Sequence, residues 1–436
     1  IGMTDTRDTA PLVLGTEKIG KLLMQYAIPA IIAMTASSLY NMVDSIFIGH
    51  GVGPLAIAGL AITFPFMNLA AAFGSLVGVG ASTLVAIKLG QKDKESATHV
   101  LGNVVMLNGI IGLVFMTVAL LFLDPILLFF GASPDTLPYA REYMLAGNLV
   151  THIYMGLNEV LRASGYPQKA MAATLTAVIV NCGLDALFIL GFGWGIRGAA
   201  LATIAAQVIA LGFEIHHFSR KKSFLHFQRG IFGLKRQIVG GMLAIGLSPF
   251  LMNLCACFVV ILINKSLKTY GGDLAIGAYG IVNRIVFLFI MIVMGFNQGM
   301  QPIAGYNFGA RQFDRLIQVL KYTIFCGVTV TTVGFLAGQI FPRPLIYLFT
   351  SDETLTNIAV EGLRIVLLFF PVVGFQMVTS SFFQSIGMAK KAIFLSLTRQ
   401  LLFLIPSLLV FPSIWGTVGV WMSMPVADAI ATIVAA

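Results

Sequence analysis

Pro29-Ala-Ile-Ile-Ala-Met-Thr-Ala-Ser-Ser-Leu-Tyr-Asn-Met-Val-Asp-Ser-Ile-Phe-Ile-Gly49 and Val178-Ile-Val-Asn-Cys-Gly-Leu-Asp-Ala-Leu-Phe-Ile-Leu190 each hold one carboxylate, Asp44 and Asp185, inside an apolar run. A charge in hydrocarbon is costly, so ionisable groups there are rare and mark ion or substrate pathways. The runs are long and do not alternate, which reads as membrane helices rather than β-barrel strands. The whole chain follows suit. Its 436 residues are 58% hydrophobic and 10% charged, where a soluble domain is about 25% charged. The fold class is therefore an all-α, polytopic membrane protein.

Twelve spans of ~20 or more residues are expected, at 22–48, 55–87, 98–123, 136–160, 168–190, 197–219, 238–267, 274–307, 316–340, 355–384, 390–411 and 414–436. The net charge of +9 is not a nucleic-acid footprint, because the basic residues sit in short loops between spans. Lys18 and Lys21 precede span one. Lys88, Lys92 and Lys94 follow span two, Arg162 and Lys169 follow span four, and Arg220, Arg229, Lys235 and Arg236 follow span six. Arg311 and Arg315 follow span eight, and Lys390 and Lys391 follow span ten. All of these loops fall on one side, which the positive-inside rule makes cytoplasmic, with both termini. The expected location is the plasma (inner) membrane. No apolar segment with a small-residue cleavage site precedes the first span, so no signal peptide is expected. Cys182, Cys255, Cys257 and Cys326 fall within spans and read as small buried hydrophobes.

The two halves repeat at an offset of about 220. Pro29 matches Pro249, Leu55-Ala-Ile-Ala-Gly-Leu-Ala-Ile62 matches Leu274-Ala-Ile-Gly-Ala-Tyr-Gly-Ile281, and Ala163-Ser-Gly165 matches Ser385-Ile-Gly387. Six helices per repeat keep the orientation, so the repeats are parallel, and such halves rock about a central site. The expected organisation is a cytoplasmic N-terminal segment (1–21), an N-lobe of helices 1–6 (22–219), a basic cytoplasmic linker (220–237) and a C-lobe of helices 7–12 (238–436). The second half has Asn264 where the first has Asp44, so the acidic pair is confined to the N-lobe.

These stretches, with Leu161-Arg-Ala-Ser-Gly-Tyr-Pro167, Gly193-Trp-Gly-Ile-Arg-Gly-Ala-Ala-Leu-Ala-Thr203 and Gln298-Gly-Met-Gln-Pro-Ile-Ala-Gly-Tyr-Asn-Phe-Gly-Ala310, resemble the multidrug and toxic compound extrusion (MATE) family over essentially the whole chain. The resemblance implies two six-helix lobes that export organic, often cationic, compounds against an inward flow of protons or sodium ions. It puts the cation-coupling site on Asp44, Asn181, Asp185 and Thr203, with Asn158 nearby. Helix seven carries no carboxylate and helix ten only Glu361, so a C-lobe sodium site is not expected.

Helix geometry agrees with that site. Asp44 lies ~30 Å and Asp185 ~25 Å from the cytoplasmic ends of their spans, and Thr203 lies roughly two turns into span six from the other side. Asn181 is one turn before Asp185 on the same face. Two carboxylates, an amide and a hydroxyl supply hard oxygen ligands for Na⁺. Two close carboxylates also raise one pKa, which suits a proton carrier. Both readings stand. No cofactor is expected, and no metal beyond a possible Na⁺. Pro29, Phe64, Met67, Arg284, Met294, Phe296 and Gln298 are assigned to an adaptable substrate cavity, since Met and aromatic surfaces suit promiscuous binding. Expected partners are small organic substrates and membrane lipids, with no nucleic acid, and the protein is expected to be a monomer. The alternative is a lipid-linked oligosaccharide flippase of related architecture, whose pyrophosphate cargo needs several cavity cations. There is no nucleophile–base pair, metal motif or phosphate loop to make it an enzyme.

Overall fold

The computed structural model describes residues 10–51, 54–125, 149–220, 225–347 and 353–436. Within these the chain is helical throughout, with no strand. Nine of the described helices are long and apolar enough to cross a membrane, or ten if Glu353–Val366 and Phe370–Ser385 form one span bent by 56°. The fourth expected span, 136–160, falls partly outside the described residues. The eleventh, 390–411, is divided in three, as set out below. Many outward side chains are large and apolar, among them Ile179, Phe325 and Ile433 at 69%, 72% and 76% exposure. Such faces need lipid as their solvent.

The chain forms two compact units. The first comprises residues up to Lys18 with Ile28–Phe250 and Gly305–Gln312; the second comprises Ile19–Ala27, Leu251–Ala304 and Phe313–Ala436. We number the helices α1 (Ile19–Gly51), α2 (Pro54–Gly90), α3 (Lys94–Leu121), α4 (Leu149–Ala163), α5 (Pro167–Asp185) and α6 (Gly195–Ser219). α7 (Arg236–Leu267) and α8 (Ala278–Gly309) follow, with a break at Gly272, whose φ is +72°.

In the first unit α2 packs on α3 and α4, and α4 packs on α5 and α6. Glycines let the helices meet backbone to backbone. A Cβ at Gly80 would lie 1.9 Å from the Met242 carbonyl oxygen, and one at Gly246 would lie 1.8 Å from that of Leu76. α2 and α7 therefore cross through two glycines, one from each helix. The same first unit holds a second reciprocal pair: a Cβ at Gly90 would meet the Tyr306 carbonyl at 2.0 Å, and one at Gly309 would meet that of Ile87 at 2.2 Å. Gly74 and Gly78 face α4, where a Cβ would touch His152 and Glu159.

The linker lies on this unit. The Asn103 amide in α3 donates to the carbonyls of Ile231 and Gly233 at 3.4 and 3.3 Å, and its Oδ1 accepts the Lys235 amide at 3.0 Å. Phe227 packs between Phe218 and Phe232 with tilted rings.

In the second unit α9 (Phe313–Ile340), the short α10 (Pro342–Tyr347), α11 (Glu353–Val366) and α12 (Phe370–Ser385) precede α13 (Ala389–Leu397). α14 (Ile405–Trp415) and α15 (Thr417–Ala435) end the chain. α9 packs on α12, and α15 packs on α12 and α14. Gly299 of α8 abuts the Ala27 backbone at 2.6 Å to its would-be Cβ. The bend between α11 and α12 precedes Pro371, which sits in the first turn of α12, where a missing N–H leaves no intrahelical bond unmade.

The repeat is visible in the turns. After α2 the amides of Gln91, Lys92 and Asp93 donate to the carbonyls of Ile87, Leu89 and Lys88. After α8 those of Ala310, Arg311 and Gln312 donate to Tyr306, Phe308 and Asn307. Each pair differs by the same offset, and Lys92 and Arg311 share a left-handed φ of 59° and 58°. The turns at Gly165 and Gly387 match in the same way, with φ of 102° and 80°.

Asp93 caps α3 by accepting the Ser96 amide at 3.1 Å. Hydrogen bonds from Ser96, side chain first and then backbone, hold its carboxyl below the usual range, with Lys88 and His99 assisting and desolvation opposing. A depressed carboxylate pKa contributes stability that is present above pH ~4 and lost as pH falls through the folded value. Asp93→Ala should therefore lower stability by about 1 kcal/mol at neutral pH, and Asp93→Asn by less. Thermal melts at pH 7 and in acid test this, the gap between wild type and Asp93→Ala closing in acid.

Candidate functional site

The described part of the expected coupling site is built by α5 and α6. α5 starts cleanly because Gly165 turns left-handed and Pro167 occupies the first helical turn. Its buried face is Ala170, Ala173, Ala177, Asn181 and Asp185. α6 answers with Ala199, Ala202, Ala206 and Ala210, all buried. Small residues on both faces let the two backbones approach, the usual device where lipid gives no hydrophobic drive. Beyond Asp185 the helix widens into a π turn, Ala186–Gly191. Phe188, Phe192 and Trp194 then cluster at the α5–α6 corner, with ring centroids 4.8–6.0 Å apart.

Asp185 is fully buried and Asn181 nearly so, at 0% and 4% exposure. The Asn181 amide donates to the Thr203 hydroxyl at 3.3 Å, and that hydroxyl donates to the Ala199 carbonyl at 3.1 Å. Three of the expected coupling residues thus belong to one helix pair, two of them in direct contact. The Asn181 Oδ1 atom has no hydrogen-bond partner among the described residues. A carbonyl acceptor and a carboxylate thus stand one turn apart on one buried face, and acceptors gathered in a dry interior are the electrostatics that suit a small cation or a proton.

Asn158 is placed elsewhere. Its amide donates to the Ala170 carbonyl at 3.0 Å, the Thr174 hydroxyl at 3.4 Å and Glu214 Oε1 at 3.2 Å. Thr174 lies two turns before Asn181 on α5, so Asn158 belongs to a separate cluster about 10 Å along the helix. Arg162 donates to Asn158 Oδ1 at 3.5 Å and pairs with Glu159 at 3.3 Å. Glu159 and Arg162, three residues apart, form a local ion pair on α4. Glu214, 0% exposed, was not anticipated.

Among the cavity candidates Pro29 is buried inside α1. Met294, Phe296 and Gln298 are half-buried on α8, and Arg284 is exposed. The side chains of Asp44, Phe64 and Met67 lie outside the described residues. Glu361 is exposed on α11. The second unit holds an ion pair that sequence reasoning missed, Arg399–Asp428, with Asp428 4% exposed. Arg399 sits in the π-helical stretch Thr398–Leu404 that divides the eleventh expected span. The signal was available: an arginine and an aspartate each interrupt an otherwise apolar run.

A family model, MatE, matches residues 29–187 and 245–409, two stretches offset by about 220 residues, as the sequence repeat is. The multidrug export protein MepA of Staphylococcus haemolyticus is 28% identical over 96% of this chain and 92% of its own length. Its counterpart in Staphylococcus aureus strain MRSA252 is 27% identical over 95% and 92%. Among solved structures, a ligand complex of the MATE multidrug transporter DinF-BH is 32% identical with a TM-score of 0.90, over 100% of this chain and 97% of that one. A transporter of the MOP superfamily from Pyrococcus furiosus is 26% identical with a TM-score of 0.91, over 98% and 96%. The match runs through both repeats and nearly the full length of these relatives, and so the chain belongs to the MatE family of multidrug export transporters: a multi-pass membrane protein, and not an enzyme.

Proposed function

We propose that the protein is a cation-coupled antiporter that exports amphipathic, often cationic organic compounds by alternating access of two lobes. It works as a monomer in the plasma membrane with both termini cytoplasmic. The observation that carries this reading is the dry, acceptor-rich pair of Asp185 and Asn181 with Thr203 against it. A buried carboxylate with an open carbonyl acceptor beside it is more stable with a cation or proton bound, so its occupancy follows the ion gradient. H⁺ and Na⁺ both fit this chemistry. The orientation follows from the loop cations, which gather on one side.

A flippase of anionic headgroups is the second reading, because the similar P. furiosus transporter is described as having a binding pocket of reversed polarity that suggests a different function. In this chain Asp428 neutralises Arg399, which leaves that cation less able to hold a pyrophosphate. The test uses proteoliposomes loaded with ethidium, a fluorescent and amphipathic organic cation, with a pH gradient and a sodium gradient imposed separately. One gradient should drive dye transport, and its collapse should stop it. Dye movement indifferent to both gradients, or movement of anionic lipid headgroups alone, would overturn the antiporter reading.

A further inference from the structure

Glu214 is a carboxylate inside the first unit to which the coupling site gives no task. It lies on α6 three turns beyond Thr203, on the same face, about 16 Å along the helix axis. It is 0% exposed. Its Oε1 accepts the Asn158 amide at 3.2 Å, and its Oε2 has no hydrogen-bond partner among the described residues. The nearest cation does not neutralise it. Arg162 is paired with Glu159 and reaches Glu214 only through Asn158. Tyr154, on the same helix as Asn158, directs its hydroxyl to Thr174 at 3.4 Å rather than to Glu214.

The remaining charged neighbours engage one another. Lys169, near the start of α5, donates to His217 Nδ1 at 3.1 Å, and the Tyr166 ring packs on His217 at 4.4 Å. An ionised Glu214 would therefore be a buried charge with one neutral hydrogen bond, a costly state. A sodium ion fits poorly here, because the Asn158 amide points its N–H at the carboxylate and Arg162 stands behind it. A proton on Oε2 removes the charge and asks for no ligand shell.

Between Glu214 and the Asn181–Thr203 contact lies an apolar layer. Tyr154, Ala177 and Ala210 pack together there, flanked by Met155 and Leu211. The layer sets the two sites about 16 Å apart along α6.

We propose that Glu214 is a second proton-binding site of this transporter, in series with the Asp185 site and separated from it by the Tyr154–Ala177–Ala210 layer. Its role in transport rests on the antiporter reading and its orientation. Glu214 then lies on the cytoplasmic side, and the proton it gives up passes to cytoplasmic water. Its role as a proton site does not depend on that reading. The first test needs no gradient or substrate. Infrared difference spectra of the full chain in lipid, recorded between acid and alkaline pH, should contain a protonated-carboxyl C=O band that Glu214→Gln removes and Asp185→Asn retains. Asn158→Ala, a second variant, takes away the hydrogen bond to Oε1 and should move that band to higher frequency. Superimposable spectra for wild type and Glu214→Gln, or a band unmoved by Asn158→Ala, would overturn the proposal. In proteoliposomes Glu214→Gln should lose the dependence of efflux on cytoplasmic-side pH; an unchanged dependence would remove Glu214 from the coupling path. Failure of the wild type to respond to either gradient would instead sink the antiporter reading and leave the spectroscopic result standing.

Discussion

Asp185→Asn should abolish gradient-driven export while leaving the protein folded and inserted. The side chain is fully buried at the end of α5. Asparagine keeps its size and is easier to hold in a dry interior than a charge, so folding does not suffer. The bound cation or proton loses its counter-charge, and with it the coupling. Asp44 occupies helix α1, and the family resemblance assigns it to the same site, so Asp44→Asn should have the same effect. Two carboxylates that set one another's charge state act as one group. The double variant should therefore be little worse than either single one, a strong departure from additivity. Efflux and membrane yield measured on all three variants decide the matter. Full gradient-driven efflux from Asp185→Asn would send the search for the ion path elsewhere in the chain.

The largest effect on stability is expected at Gly246. Its missing Cβ leaves room for the Leu76 carbonyl, which a methyl group would meet at 1.8 Å. That neighbour is backbone in the middle of α2 and cannot step aside as a side chain can. Gly246→Ala must push α7 away from α2, at a cost of about 1–3 kcal/mol or more. Gly240 on the same helix has nothing within 4 Å of its would-be Cβ. Gly240→Ala should therefore be neutral or stabilise by about 0.5–1 kcal/mol, as alanine does in an open helix. Combining Gly246→Ala with Gly80→Ala should cost less than the sum, because one separation relieves both clashes. Thermal unfolding in detergent reads the contrast, and equal melting of Gly246→Ala and Gly240→Ala would refute the backbone crossing.

Much of this was legible in the sequence, for physical reasons. Long apolar runs with basic loops leave helices in lipid as the one solution. The matched stretches Ala163-Ser-Gly165 and Ser385-Ile-Gly387 announced two copies of one turn, and the turns agree hydrogen bond for hydrogen bond. Asn181 and Thr203 came from the family resemblance, and helix spacing agreed with it by putting Asn181 one turn before Asp185 on the same face. Glu214 was missed, because Leu211-Gly-Phe-Glu-Ile-His-His-Phe218 reads as a helix end sliding into a polar loop. Its spacing from Thr203, which puts both on one face, was the signal to use. The resemblance put Asn158 near the coupling site, and in the structure its amide donates to Glu214, since sequence spacing says which face a residue takes but not which neighbour it meets. The π turns after Asp185 and at Arg399 have no periodicity to read, because one extra residue in a turn leaves an apolar run looking continuous.

The contact between Gly90 and the Tyr306 carbonyl is the counterpart, one repeat on, of that between Gly309 and the Ile87 carbonyl. When two separate copies of one chain meet in this way, patch i on patch j and j on i, the interface is isologous and a two-fold axis runs between the glycines. This transporter thus carries, inside one polypeptide, the handshake of a homodimer. In a true homodimer any change at this glycine would strike the interface twice and be punished twice. Fusion of the copies halves that penalty, removes the translational entropy of assembly, and leaves each glycine free to drift. Linked in one chain, the two copies can differ at matching places, as at Asp44 and Asn264, where two identical subunits could not.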